Sequence, residues 1–501
     1  MPPAVPDLEG RLLLGIDIGS SGVKAVLLDA HRGIVASARH DVALFSDHPG
    51  WAEAEPLEWW SAVRALVPRL LAAARATSAD VAGVAVTGMV PAVLCVDENG
   101  RTLRRAILQN DARATDEIRQ IADAIADVDL LALTGSVLSQ QSVAPTALWL
   151  SRYEPDVWSQ TRSLQGSYDW MAHALGARAH VERNWAIESG LYDLDLRPLE
   201  RVRAATGVAW PALLDVETPG TIVGEVSALA AEETGLRAGT PIVVGGADHV
   251  LSAYGAGLVD EGDCLIKLGG ATDILVVSDT VFLDSRLYLD SHPIAGKWLP
   301  NGCTATSGSL LRWEQSIFDM TPLEELDAAA ATSRPGALLA LPYFLGEKTP
   351  LHDPDLRGVL VGLNLATTRG DLHRSFLEAI AYAVRAHFDV FAQRGLRVGT
   401  VRITNGGSKS RLWREILADV LGRDLTSIVD HPGASFGAAV IAGVGVGRIA
   451  DWSYVKGALA QGEVVSPDER HLALYEERYA QYRQLSEATT PILHALARGS
   501  H

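Results

Sequence analysis

Two carboxylates in this chain stand where a phosphate could be handled. Asp17 precedes the turn Gly19-Ser20-Ser21-Gly22 by two residues, inside the stretch Leu12 to Asp29. Glycines that tolerate positive φ, two hydroxyls and free backbone N–H groups make such a turn a cradle for a phosphate chain. Asp17 is expected to share a face with the turn, where a carboxylate can hold the water shell of a Mg²⁺ bridging phosphates. The second carboxylate, Asp248, follows the run Pro241 to Val244 and the pair Gly245-Gly246. At or just before a helix N-terminus, it reads in two ways. One is an N-cap; the other is a general base that takes the proton of an attacking hydroxyl as a phosphoryl group is transferred. Polar groups also collect at Gln109-Asn110-Asp111-Ala112-Arg113, where they would grip hydroxyls, with Asp111 serving equally well as a cap for the next helix.

The elements that must position these residues are set by apolar spacing. Leu12 to Ile18 and Val23 to Leu28 predict two strands joined by the turn, and Gly33 to Val42 a third. Pro56 to Ala76 carries Trp60, Val63, Val67 and Leu70 at helical spacing. Val81 to Thr87 is apolar throughout, so it reads as a strand buried on both faces, ending at Gly88-Met89-Val90-Pro91, where a parallel strand opens on a ligand crevice. Val93 to Val96 and Leu103 to Ile107 predict a hairpin. Residues 114–240 read as helices and loops, in which Asn184, Trp185 and Glu188 are expected to pack or cap rather than reach a ligand. A buried strand from Pro241 leads into a helix from His249 to Gly257. Farther on come a strand at Leu338 to Phe344, a long helix at Gly370 to Arg394 with His387 in its core stripe, and a strand at Val401 to Thr404. The turn after it bears Gly406-Gly407, where a flat base can lie against bare backbone. Gly437, Ala438 and Ala439 mark the helix Ala434 to Val444 as closely packed.

An internal repeat ties these pieces together. Gly15 to Asp29 aligns without gaps on Leu265 to Asp279, placing Gly19 on Gly269, Ser20 on Gly270 and Val26-Leu27 on Val276-Val277. Each half therefore opens with a phosphate-type hairpin, and two such hairpins facing across a cleft can hold a nucleoside triphosphate from both sides. Lys267 stands in place of Asp17, so the halves are not chemically equivalent. A chain of 501 residues with 48% hydrophobic content exceeds one core, and two domains are expected. The 43 Lys+Arg against 61 Asp+Glu give a net charge of -18, which repels nucleic acid and anionic membranes and leaves small molecules as partners. Cys95, Cys264 and Cys303 have no paired spacing, which fits a reducing compartment without structural zinc. The stretch MPPAVPDLEGR lacks a basic start and an apolar core, and no apolar run reaches the ~18 residues of a membrane span, so a soluble cytoplasmic protein is expected.

In order, Asp17-Ile18-Gly19-Ser20-Ser21, Trp51-Ala52-Glu53, Asn110-Asp111-Ala112-Arg113, Gly245-Gly246-Ala247-Asp248, Gly346-Glu347-Lys348-Thr349-Pro350 and Asn405-Gly406-Gly407-Ser408-Lys409-Ser410 resemble the FGGY family of carbohydrate kinases over nearly the whole chain. The resemblance implies an α/β fold of two duplicated actin-like, ribonuclease H-like domains with a central cleft: residues 1–246 on the sugar side and 247–501 on the nucleotide side. It implies ATP-dependent phosphorylation of a sugar hydroxyl with Mg²⁺, in a homodimer. Asp248 matches the catalytic base and a metal-side acid, and Asp17 the acid near Mg²⁺. Ser20, Ser21 and Lys24 would lie beside the transferred phosphate, and Gly269, Gly270, Gly406, Gly407 and Ser410 on the nucleotide side. Met89, Val90, Asn110, Asp111, Asp248 and His249 would line the sugar. The motifs are most similar to the xylulokinase branch, which implies a pentulose such as D-xylulose. That branch usually has a Met-His pair where Met89-Val90 stands, a Trp at Gln109 and an Asn at His249, so another ketose or a polyol of ribulose, erythritol or glycerol type stays open. An actin-like ATPase without a sugar acceptor is the alternative from a different class. Many members carry a Gly-Thr-Ser turn where this chain has Gly269-Gly270-Ala271, and Thr272 is expected to supply the displaced hydroxyl.

Overall fold

The structure, a computed structural model, describes residues 10–498. Residues 1–9, where the sequence shows no leader pattern, lie outside the described residues. Two sheets organise the chain. The first is built from β1 (Leu12–Gly19), β2 (Gly22–Asp29), β3 (Gly33–Asp41), β4 (Val81–Gly88), β5 (Ile222–Glu225) and β6 (Pro241–Ala247), in the order β5-β6-β4-β1-β2-β3. The second uses β7 (Cys264–Leu268), β8 (Thr272–Val276), β9 (Tyr288–Ser291), β10 (Trp298–Thr304), β11 (Val401–Thr404), β12 (Leu425–Ile428) and β13 (Gln461–Val465), in the order β9-β10-β8-β7-β11-β12-β13. Both have antiparallel β1–β2–β3 or β7–β8–β10 meanders, then two parallel neighbours, then an antiparallel edge. Apart from the extra strand β9, the second sheet repeats the first. The repeat in sequence is thus a repeat in topology, and the fold is the duplicated actin-like one.

Among the helices that cover these sheets or carry residues of the cleft are α1 (Pro56–Ala74), α2 (Arg183–Glu188), α3 (Asp248–Gly255), α4 (Gly308–Ile317), α5 (Arg369–Gln393), α6 (Arg411–Leu421) and α7 (Gly433–Gly445). One core forms around the first sheet and a second around β7, β8 and β11 with α5 and α6. The first core also takes in Ala434 to Ala442, Ile449 and Val455 from far down the chain, because α7 crosses β1, β4 and β6. Small residues also let α7 approach α3: a Cβ on Gly437 would meet the Leu251 carbonyl oxygen of α3 at 2.4 Å. His387 lies in the core, as its stripe implies, with Nε2 2.8 Å from Thr349 Oγ1.

Two local expectations change. The hairpin read at 93–107 is kept only as bridges, Val93 to Ile107 and Val96 to Thr102, because its arms find longer partners elsewhere: Leu94–Val96 pairs with Ser163–Gln165 and Ala106–Ile107 with Glu53–Ala54. Gly19 and Gly22 are not in the left-handed region; glycine is required there because a Cβ on Gly19 would come within 2.9 Å of the Gly22 carbonyl oxygen, and one on Gly22 within 3.0 Å of that of His40. Among the described residues no helix is long and apolar enough to cross a membrane, and all three cysteines are free.

Candidate active site

Parallel strands end together, and the candidate residues are placed by those ends. Ile18 is level with Gly88, and Gly88 with Ala247, so the Ser20-Ser21 turn, Met89 and Asp248 leave the first sheet at one edge. In the second sheet Lys267 is level with Thr404, so the turn 269–271 and the turn after Thr404 leave side by side. A Cβ on Gly269 would be 3.6 Å from Asn405 Nδ2. Gly406 has open space where its Cβ would be, whereas Gly407 is needed for packing, its Cβ position lying 2.5 Å from the Trp413 ring. Ser410 is the N-cap of α6, accepting from the Trp413 N–H at 3.1 Å. Ser20 is half-buried, and Ser21 and Lys24 are exposed.

Asp248 is the first residue of α3, not its N-cap, which is Ala247. Its side chain keeps 38% of its surface open. Burial acts to raise its pKa, but hydrogen bonding and charge from His249 and the charge of Lys267 outweigh this and hold the carboxylate below its ordinary value. The His249 N–H donates to Asp248 Oδ1 at 2.6 Å. Asp17, buried on β1, behaves oppositely: burial and then the charge of Asp248 push it up to about 7, against the opposing pull of Lys24 and Lys267. Asp248 therefore lies within electrostatic reach of Asp17 of the first half and of Lys267 of the second.

Three sugar-side and phosphate-side expectations are corrected by the geometry. Thr272 is fully buried, and its Oγ1 donates to Ser307 Oγ at 2.7 Å, so its hydroxyl faces the interior and not a phosphate. Asp111 neither caps a helix nor faces open space: Oδ2 accepts from the Ala52 N–H at 2.6 Å, and the Arg113 fork, which also reaches Glu53 Oε1 at 2.8 Å, takes both oxygens. His249 Nε2 lies 2.7 Å from Asp290 Oδ2 and Nδ1 3.6 Å from Asp248 Oδ1, so the ring braces the base instead of offering a free arm to a sugar. Its pKa is raised, since Asp290 and Asp248 overcome the burial that would lower it. Met89 and Val90 are buried and supply apolar packing; Asn110 is exposed.

Sequence reasoning set Glu188 aside as a packing residue and missed Asp290. Glu188, Asp290 and His249 present ligand atoms within 4.8 Å of one another, and burial followed by the charge of Asp290 raises the Glu188 pKa well above its ordinary value. Asp290 also accepts from Asn301 Nδ2 at 2.6 Å. Strand β9, which carries Asp290, has no apolar run to betray it. The expectation that Asn184 packs is met: it exchanges two hydrogen bonds with the Ser291 backbone, at 2.7 and 3.0 Å, tying α2 to β9. Thr272→Val should cost about 1 kcal/mol of stability through the lost Ser307 bond and leave the KM for nucleotide unchanged; a steady-state titration checks it.

Two like sheets whose glycine turns converge on a cleft, with an ionised carboxylate between an acid of one half and a lysine of the other, define a phosphotransferase on the duplicated actin-like ATPase fold. The comparisons agree. Residues 12–255 match the model of the N-terminal domain of the FGGY family of carbohydrate kinases and residues 280–446 that of its C-terminal domain, so the chain belongs to this family. It is 28% identical over 488 residues to the xylulose kinase of Staphylococcus epidermidis, covering 96% of this chain and 97% of that protein. It is 27% identical to the L-xylulose/3-keto-L-gulonate kinase of Escherichia coli, covering 95% and 96%. The crystal structure of xylulose kinase from Rhodospirillum rubrum superposes with a TM-score of 0.90 at 38% identity, covering 97% of this chain and all of that one.

Proposed function

We propose that this carbohydrate kinase transfers the terminal phosphoryl group of ATP to a ketopentose, with D-xylulose as acceptor and its 5-phosphate as product. The observation that carries the reading is Asp248, ionised, open to the cleft and held by His249. In the step, the acceptor hydroxyl gives its proton to Asp248 as its oxygen bonds to the terminal phosphorus. The bond from that phosphorus to the bridging oxygen breaks, and the electron pair leaves with ADP. Ser20, Ser21 and Lys24 would flank the phosphates from the first half, and Gly269, Gly270 and Gly406 from the second, while Met89, Val90 and Asn110 line the acceptor side. Asp17 and Asp248 suit Mg²⁺, because burial first and the charge of Asp248 second push Asp17 up to about 7, and a divalent cation offsets both. Bound there, it would supply charge neutralisation on the phosphate oxygens. The division of the functional halves near residues 246 and 247 is carried over from the family resemblance alone, since β6 to Ala247 lies in the first sheet and residues from Val250 to Val259 pack in its core. A reducing, cytoplasmic location fits the free cysteines, and the homodimer is carried over from the family alone.

A second acceptor class, another ketose or a polyol, is favoured by the acceptor side itself. Val90 offers no hydrogen bond, the Gln109 Oε1 is buried without a partner, and both His249 ring nitrogens face acids. ADP release measured across pentuloses, hexuloses and polyols, with Mg²⁺ and with chelator, tests both readings. We expect the highest kcat/KM with D-xylulose and loss of turnover in chelator. A higher value for another acceptor moves the assignment to it, and no acceptor above the ATP-only background ends the reading.

A further inference from the structure

At matching rungs, the three central strands of the two sheets carry the same ladder with its charges exchanged. Lys24, Asp17 and Thr87 lie level across β2, β1 and β4; Asp273, Lys267 and Thr404 lie level across β8, β7 and β11. Lys267 is only 17% exposed, and its Nζ is 3.3 Å from Asp273 Oδ2. An ammonium has three donors, so the pair with Asp273 leaves two for another anion. Burial alone would lower the Lys267 pKa, but Asp273 and then Asp248 raise it, so the cation is kept charged without a phosphate present. Its field also reaches Asp17. Two residues beyond, the turn Gly269-Gly270-Ala271 bears no polar side chain, and the Thr272 hydroxyl is turned inward. From strand and turn the second half thus presents backbone and one fixed cation, Lys267, while the exposed Arg312 of α4 reaches the turn from outside, its guanidinium 3.1 Å from the Cβ position of Gly270.

We propose that Lys267 is the second half's charge on the phosphoryl group in transit, binding an oxygen of that group between Asp17 and Asp248 in place of a turn hydroxyl. The proposal rests on the kinase reading. Charge spreads over the three oxygens of a phosphoryl group during transfer, and a preorganised cation beside them lowers the barrier more than it strengthens ground-state binding. Asp273 lets the lysine wait in a buried site without an unpaired charge.

The test compares wild type with Lys267→Met, Lys267→Gln and Lys267→Arg in acceptor-dependent ADP release, with ADP affinity and thermal midpoint measured on each. Lys267→Met is expected to lower kcat about 100-fold with the acceptor KM unchanged and ADP still bound, and Lys267→Arg to recover part of the loss. If the Met variant does not fold, the Gln variant is judged by the same numbers. A kcat within about threefold of wild type, or equal impairment of the Arg and uncharged variants, overturns the role of Lys267. Wild-type protein without acceptor-dependent turnover overturns the kinase reading instead.

Discussion

Asp248→Asn is expected to lower acceptor-dependent ADP release by about a thousandfold while leaving nucleotide affinity unchanged. The amide matches the carboxylate in size and can still accept from the His249 N–H, which donates at 2.6 Å, so α3 should start where it does now. What the amide lacks is a basic oxygen for the acceptor's proton. A general base contributes about 10² to 10⁴ in rate, and here it acts from a carboxylate already held ionised by His249 and Lys267, so none of its effect is lost to protonation near neutral pH. The loss should fall on kcat, with the acceptor KM little changed, because the proton moves only as the bond forms. Rapid-quench measurement of a single turnover separates this chemical step from product release. Turnover within about tenfold of wild type would remove Asp248 from the base role.

Much of this site is legible in the sequence because its positions are set by strand ends. The hairpin Leu12 to Asp29 and the strand Val401–Thr404 announce themselves by apolar runs stopped by glycine, and those runs alone place their turns. The edge strands β5 and β13 are not legible, although β3, at the other edge of the first sheet, is. β5 reads Ile-Val-Gly-Glu and β13 Gln-Gly-Glu-Val-Val, each with a glycine and exposed acids, since one side of an edge strand faces solvent and needs no apolar pattern. The exchanged ladder is hidden for a different reason. Three residues separate Leu268 from its partner Thr272 where four separate the matching Ile18 from its partner Val23, so a gapless match lays Lys24 on Ile274, while the strand register makes its counterpart Asp273. Asp111 and Thr272 mislead because a polar side chain at a strand end is chemically the same whether it faces a ligand or a buried partner. Only Ala52 and Ser307, brought in from elsewhere in the fold, and the neighbouring Arg113 decide between the two.

Gly15→Ala should destabilise the protein by more than about 3 kcal/mol, although it adds a single methyl group to a β-strand. At this position α7 lies directly on β1, and the new Cβ would sit 1.9 Å from the Ser435 carbonyl oxygen and 2.6 Å from the Ala439 nitrogen. Both are backbone atoms of a helix, so no side-chain rotation relieves the overlap, and α7 must lift from β1 or β1 must bend. Either movement opens the core between Leu13 and Ile449, which meet beside Gly443. It also disturbs the strand that carries Asp17 and the turn with Ser20 and Ser21. The expected result is a fall of about 10 °C or more in the thermal midpoint, with nucleotide binding weakened in the fraction that stays folded. Gly457→Ala is the control, because its Cβ position is open and its backbone is not left-handed; it should leave the midpoint unchanged or slightly higher. A Gly15→Ala protein as stable as the control would mean that α7 does not rest on β1, and the late-chain helix would lose its place in the first core.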